Sequence, residues 1–165
     1  MSRTPPPSTD QVRALASHFP QAVPEDFIDE NGHMNITHYF HLGSLAPWLH
    51  LTDLGLGQAY IEERGSSFFT VEHHIGYTGE LLLGDEFSVR VGFAGRTAKA
   101  VHAVSYVLDE KRDRIACTME LMYVHVSMQS RRASDMPDDI AALIDAQVAP
   151  HPWVADAVSG LSLRS

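Results

Sequence analysis

The chain has 165 residues, 44% hydrophobic and 20% charged, which suits one domain with a real core. Its formal charge of −9 excludes nucleic acid, which wants a basic stripe, and no apolar run is long enough to span a membrane as a helix. The lone Cys117 excludes an internal disulfide and fits a reducing cytoplasm; the proline-rich start lacks the apolar segment of a secretory signal.

Residues 1–18 predict a loosely docked arm, 19–147 a single domain, and 148–165 a C-terminal tail. A short strand or extended lead-in is expected from about 21 to 29. Asn35, a good N-cap, then opens a helix whose apolar residues Ile36, Tyr39, Phe40, Leu42, Gly43, Ala46 and Leu49 recur at three- and four-residue spacing. It is expected to end near Leu54, before Gly55, with a kink or break at Pro47, which lacks an N–H and crowds the Gly43 carbonyl. After a loop at 55–65 the period becomes two. Phe87, Val89, Val91 and Phe93 alternate with Ser88, Arg90 and Gly92, a half-buried strand. Strands are also predicted at 66–77, 97–108 and 114–128, joined by short turn-rich connections that imply antiparallel pairing. Met136–Ala146 reads as a helix capped by Asp135, and the tail with Pro150, Pro152 and Trp153 has no predicted structure. One early helix followed by a meander of long strands is an α+β pattern with the sheet curled around the helix.

The chemistry concentrates between Asp29 and Asn35, where an acid, an amide, a glycine, an imidazole and a second amide precede the helix. A helix N-terminus offers free N–H groups and partial positive charge to a developing oxyanion. Gly32 lets backbone approach a ligand, and Asp29 beside it is a nucleophile or general base for acyl transfer. Asp29-x-x-Gly32-His33-x-Asn35-x-x-x-Tyr39 resembles the signature of hotdog-fold acyl-CoA thioesterases of the 4-hydroxybenzoyl-CoA thioesterase-like group. Ile28 to Asn35 is most similar to the betainyl-CoA thioesterase-like branch. Phe69-Thr70-Val71-Glu72, Gly84-Asp85 and Leu121–Val126 followed by Arg131-Arg132 fit the same branch in the same order, roughly over residues 22–137.

The resemblance implies a hotdog fold, a curled antiparallel sheet wrapped around a long central helix. It implies an acyl-CoA substrate, no cofactor beyond the coenzyme A it carries, and a homodimer or homotetramer with active sites between protomers. By the same resemblance Asp29 is catalytic, Gly32 and His33 supply N–H groups to the thioester oxygen, and Asn31 and Asn35 hold carboxylate and carbonyl. The His33 imidazole either orients substrate or packs at the helix entrance, and Asn35 is N-cap, site residue or both. Tyr39 lines the acyl pocket or the core. Thr70, Glu72 and His74 are read as one polar face of a strand, solvated or across the dimer interface. In the second case Glu72 is a further catalytic acid or a counter-charge for a cationic acyl group.

Nine of the twelve Lys and Arg lie between Arg64 and Arg132. Lys111, Arg112, Arg114, Arg131 and Arg132 are the candidate partners of the coenzyme A phosphates, with 111–114 alternatively a solvated turn. Ten histidines raise a metal site, but His38/His41 and the adjacent His73/His74 lack a ligand pattern, so no metal is predicted. Two competing functions stand beside thioester hydrolysis: a hotdog enoyl-CoA hydratase or dehydratase, and a non-catalytic acyl-CoA-binding protein.

Overall fold

In the computed structural model, which describes residues 6–158 and 160–163, a short helix α1 (Thr9–Arg13) and strand β1 (Ala16–Ala22) precede the central helix α2 (Ile36–Leu51). Helix α3 (Gln58–Arg64) and strands β2 (Ser66–Tyr77), β3 (Glu86–Arg96), β4 (Ala100–Asp109), β5 (Arg114–Ser127) and β6 (Arg132–Ala133) follow, then α4 (Asp138–Val148) and α5 (Trp153–Ala157). The strands form one antiparallel sheet in the order β1-β3-β4-β5-β2, with β6 also on β5. The sheet curls around α2, as the hotdog resemblance implied.

Alternation decides what each face buries. Val89, Val91 and Phe93 of β3 meet Val107, Ser105 and Ala103 of β4, which meet Cys117, Met119 and Leu121 of β5. Toward the start of α2 this face packs on Met34, Tyr39, Leu42 and Ala46; toward its end it packs on Leu51, Leu56, Tyr60 and the α4 residues Ile140 and Ile144. The opposite face is covered too. Val12 and Leu15 from the N-terminal segment and Val154 of α5 pack on Val104, Tyr106 and Leu108. Gly92 permits that approach, because a Cβ there would sit 3.1 Å from Val154 and 3.3 Å from Leu15. β3 is therefore covered on both sides rather than half-buried.

Several boundaries differ from the sequence expectation. Residues 1–5 of the expected arm lie outside the described residues. From Ser8 onward the chain is capped helix and then strand, anchored by Arg13 to Glu110 at 3.1 Å. The first strand lies at 16–22 instead of 21–29, at a sheet edge where Pro20 sits in a bulge and needs no N–H partner. Residues 58–64, read as loop, form α3, bounded by Gly57 and by Gly65 at φ +60°. α4 starts after Pro137 rather than Asp135, and the tail contributes α5 to the outer layer.

Pro47 does not break α2. Its missing N–H leaves the Gly43 carbonyl without a helical donor, and the buried Ser105 hydroxyl of β4 fills the vacancy at 2.7 Å. Gly43 also brings helix and sheet close, since a Cβ would stand 3.0 Å from Met119 Cε and 3.3 Å from Ser105 Oγ. The irregularity falls later, in a π-helical turn at Thr52–Leu56 where Gly55 adopts φ +84°.

Candidate active site

The segment between β1 and α2 is a closed loop fastened at several points. The Asp29 N–H donates to the His33 carbonyl at 3.1 Å, and the Asn35 N–H donates to the Phe27 carbonyl at 2.8 Å. Leu81, on the β2–β3 connection, holds the loop from outside. Its carbonyl accepts from the Met34 N–H at 2.8 Å, and its N–H donates to the Tyr39 hydroxyl at 2.9 Å. The Met34 and Leu81 side chains are wholly buried, so the loop is pinned by packing as well as by hydrogen bonds.

Within it, the Asp29 carboxylate is partly exposed and aimed by two donors. Oδ1 accepts from the Asn31 N–H at 2.9 Å, and Oδ2 accepts from Asn35 Nδ2 at 3.0 Å. Asn35 does both jobs considered for it, because its Oδ1 also caps α2 through the Thr37 N–H at 2.9 Å. Each carboxylate oxygen keeps lone-pair capacity for a water or an acyl carbon. His33 Nδ1 donates to the Met34 carbonyl at 3.1 Å, so its second nitrogen, Nε2, is not engaged there.

The amide donors are not quite those expected. Gly32, at φ +79°, gives its N–H to the Asp29 carbonyl at 2.9 Å, completing the turn, so it is not open to an oxyanion. Its role is the left-handed turn. Among the described residues, the N–H groups of His33 and of Ile36, the first residue of α2, have no acceptor. Asn31 likewise contributes its backbone, in an Asx turn, rather than its side chain.

A cavity of about 320 Å³ opens two to three turns along α2. Ser44 and Trp48 line it from the helix, Phe69, Thr70 and Tyr123 from the sheet, and Arg131 from the β5–β6 turn. Tyr123 is 2% exposed, and among the described residues its hydroxyl has no hydrogen-bond partner, with Thr70 opposite it on β2. Burial pushes this phenol well above its ordinary pKa, so it stays a neutral donor. Ser44 and Trp48 have the i, i+4 spacing that could have flagged them as one patch; nothing in the sequence placed Tyr123 beside them.

Residues 23–144 match the thioesterase-like superfamily. The chain belongs to that superfamily. It is 24% identical to the betainyl-CoA thioesterase of Pseudomonas aeruginosa over 139 residues, covering 84% of this chain and 87% of the relative. It is 28% identical to the L-carnitine dehydrogenase/betainyl-CoA thioesterase of Rhizobium meliloti over 116 residues, 70% of this chain. The matched part spans only 23% of that longer relative. A Staphylococcus aureus protein solved in complex with CoA superposes with a TM-score of 0.66 at 24% identity, covering 91% of this chain and 89% of that one.

In this thioesterase-like chain the remaining predicted residues scatter. Tyr39 is 3% exposed in the core, bonded to Leu81, with burial pushing its pKa up to about 12; it positions the loop and does not line the cavity. Thr70 and Glu72 do not share a face. A bulge at Val71 pairs Thr70 with Tyr123 but Glu72 with Met122, so Thr70 faces the helix side while Glu72 and His74 face outward. Glu72 is exposed, and among the described residues no hydrogen bond or ion pair links it to Asp29. The basic turn is spent internally: Lys111 and Arg112 bind Asp85, and Arg112 and Arg114 bind Asp109 at 3.0 and 3.1 Å. All three are thus held in ion pairs with buried carboxylates. Arg131 and Arg132 have no ion pair among the described residues, and the Arg131 guanidinium lies 5.2 Å over the Phe69 ring at the cavity.

Proposed function

We propose that the chain hydrolyses acyl-CoA thioesters to a free acid and coenzyme A. The observation that carries this is the Asp29 carboxylate, aimed by Asn31 and Asn35 beside the open N–H groups of His33 and Ile36. As an oxygen adds to the thioester carbon, negative charge grows on the carbonyl oxygen, where the open N–H groups and the α2 dipole receive it. Asp29 either takes a proton from the attacking water or attacks directly, forming an anhydride that water then cleaves. In both routes the C–S bond breaks and the thiolate of coenzyme A takes a proton. No further cofactor enters this chemistry.

The cavity is at the small end of ligand sites, which favours a short acyl group, and Arg131 and Arg132 offer charge to the phosphates. Betainyl-CoA is the finer reading. It is supported by the names of the relatives and by Trp48, Phe69 and Tyr123, whose ring faces suit a quaternary ammonium. Arg131 at the same cavity repels such a group, so a neutral acyl-CoA of equal size belongs in the comparison. The test is free-thiol release from betainyl-, butyryl-, benzoyl- and an enoyl-CoA. Release is expected from at least one; hydration of the enoyl-CoA without thiol, or binding without turnover, would replace hydrolysis by the two competing functions. A cytoplasmic setting is part of the same proposal, resting on the single buried Cys117, whose thiol burial pushes up to about 12.

Two copies of the chain are proposed to pair through β2. Among the described residues this 12-residue strand ends the sheet with one side unpaired; Val71 and Tyr77 on it are 55% and 46% exposed, and the ring of Phe40 of α2, 48% exposed, lies 5.2 Å from the ring of His73 on the same strand. Such a long apolar edge is a template for pairing. Light scattering at micromolar concentration is expected to give a particle of at least twice the 18.2 kDa chain mass. An 18.2 kDa particle overturns the pairing.

A further inference from the structure

At the far end of α2 from Asp29, three residues distant in sequence converge. His18 comes from β1, His50 from the last turn of α2, and Asp53 from the π-helical turn that follows. Each offers one ligand atom, and these atoms all lie within 4.8 Å of one another. His18 Nε2 is buried and, among the described residues, has no hydrogen-bond partner. The His50 ring stands edge-on to His18 at 5.7 Å and is held by Gln147 of α4, whose amide oxygen lies 3.2 Å from its Nε2. An unpartnered buried nitrogen is costly in a folded chain, and it invites an explanation by a missing ligand.

Both supporting segments are irregular at this spot. β1 carries a bulge between His18 and Gln21, and Phe19 inside it takes φ +50°, a left-handed conformation that a bulky residue adopts only under constraint. Bulges of this kind re-aim side chains. α2 widens into its π turn just after His50, which brings Asp53 onto the same side.

We propose that His18, His50 and Asp53 form a binding site for one divalent transition-metal ion. Two imidazoles and a carboxylate are the donor set of zinc and its neighbours and not of magnesium or calcium, which take oxygen ligands. Bonds of about 2.0–2.1 Å to a tetrahedral zinc ion put donor atoms roughly 3.4 Å apart, so from separations within 4.8 Å the donors close in by at most about 1.4 Å on binding. Asp53 is exposed and the two histidines are half-buried, which leaves an entry path and room for that movement. The ion would tie β1 to α2 and, through Gln147, to α4. About 20 Å of helix separates it from the Asp29 loop, so it is a structural site, and its test is independent of the thioesterase reading.

The experiment is calorimetric titration of the full chain, stripped with chelator and dialysed, using zinc chloride with magnesium chloride as control. One zinc per chain at micromolar Kd and no binding of magnesium are expected. The thermal midpoint should rise by about 5 °C or more at 100 times the Kd. His18→Ala and the exposed Asp53→Asn should each weaken binding at least tenfold and abolish the rise, while His41→Ala, on an exposed histidine of the same helix, should bind like the unsubstituted chain. No saturable binding, affinity in Asp53→Asn or His18→Ala unchanged from the unsubstituted chain, or a tenfold loss in His41→Ala overturns the site.

Discussion

Thiol release by Asp29→Ala is expected to fall by about 10²–10⁴-fold at saturating acyl-CoA, with circular dichroism and thermal midpoint close to those of the unsubstituted chain. The two properties separate because of how the loop is built. Asp29 makes its fold contacts through its backbone, to His33 and Gly32, and these survive the substitution. The carboxylate's two side-chain partners are recoverable: the Asn31 N–H reaches water, and Asn35 keeps its cap on Thr37. Asn35→Ala is the contrasting variant, since it removes both the aim of Asp29 and the helix cap, and should lose about 1 kcal/mol of stability along with activity. An Asp29→Ala chain within threefold of full activity would remove Asp29 from the chemistry.

The second large effect is on stability. Asp85, 1% exposed, accepts from the Leu82 N–H at 2.8 Å, from Lys111 at 3.1 Å and from Arg112. Burial alone would raise its pKa, but Arg112, the Leu82 N–H and Lys111 outweigh that and hold it at about 2, below the ordinary 3.8. A carboxyl depressed in the folded chain contributes stability that is fully present above its unfolded pKa and lost as pH falls through the folded one. The contribution is about 1–2 kcal/mol once solvent around the exposed ends of Lys111 and Arg112 is allowed for. Asp85→Asn should therefore cost about 2 kcal/mol at neutral pH and lower the thermal midpoint by about 4–8 °C. The gap to the unsubstituted chain should shrink as pH falls from about 4 toward 2. A gap that stays constant over that range would show that the charge of Asp85 is not what matters.

The motif from Asp29 to Asn35 was legible because its bonds are local: a cap, an Asx turn and a left-handed glycine each leave a signature within a few residues. Strand β3 was legible through its period of two, and β2, β4 and β5 through their length and the short turn-rich connections between them. What escaped depends on contacts between distant segments. Nothing near Val71 announces the bulge that turns Glu72 away from Thr70. The carboxylates that consume Lys111, Arg112 and Arg114 include Asp85, 26 positions upstream of Lys111. His18 and His50 meet only because the edge strand β1 reaches the end of α2, and no spacing in the chain encodes that distance. Pro47 read correctly as a lost hydrogen bond, yet the helix stayed whole because a donor arrived from another strand.

That donor has a mechanical consequence. In an ordinary helix the Gly43 carbonyl would be occupied from within, and the helix could slide over the sheet with only packing to resist it. Here a side chain rooted in β4 grips the helix backbone at one point, eight residues downstream of the cap. The grip fixes one point: any rocking of α2 would swing its two ends in opposite directions about the carbonyl held by Ser105. The helix tip that follows the Asp29 loop would then pivot about the middle of the sheet. Pro47 frees the carbonyl and Ser105 occupies it, so exchanging either alone would release or refill that one anchor.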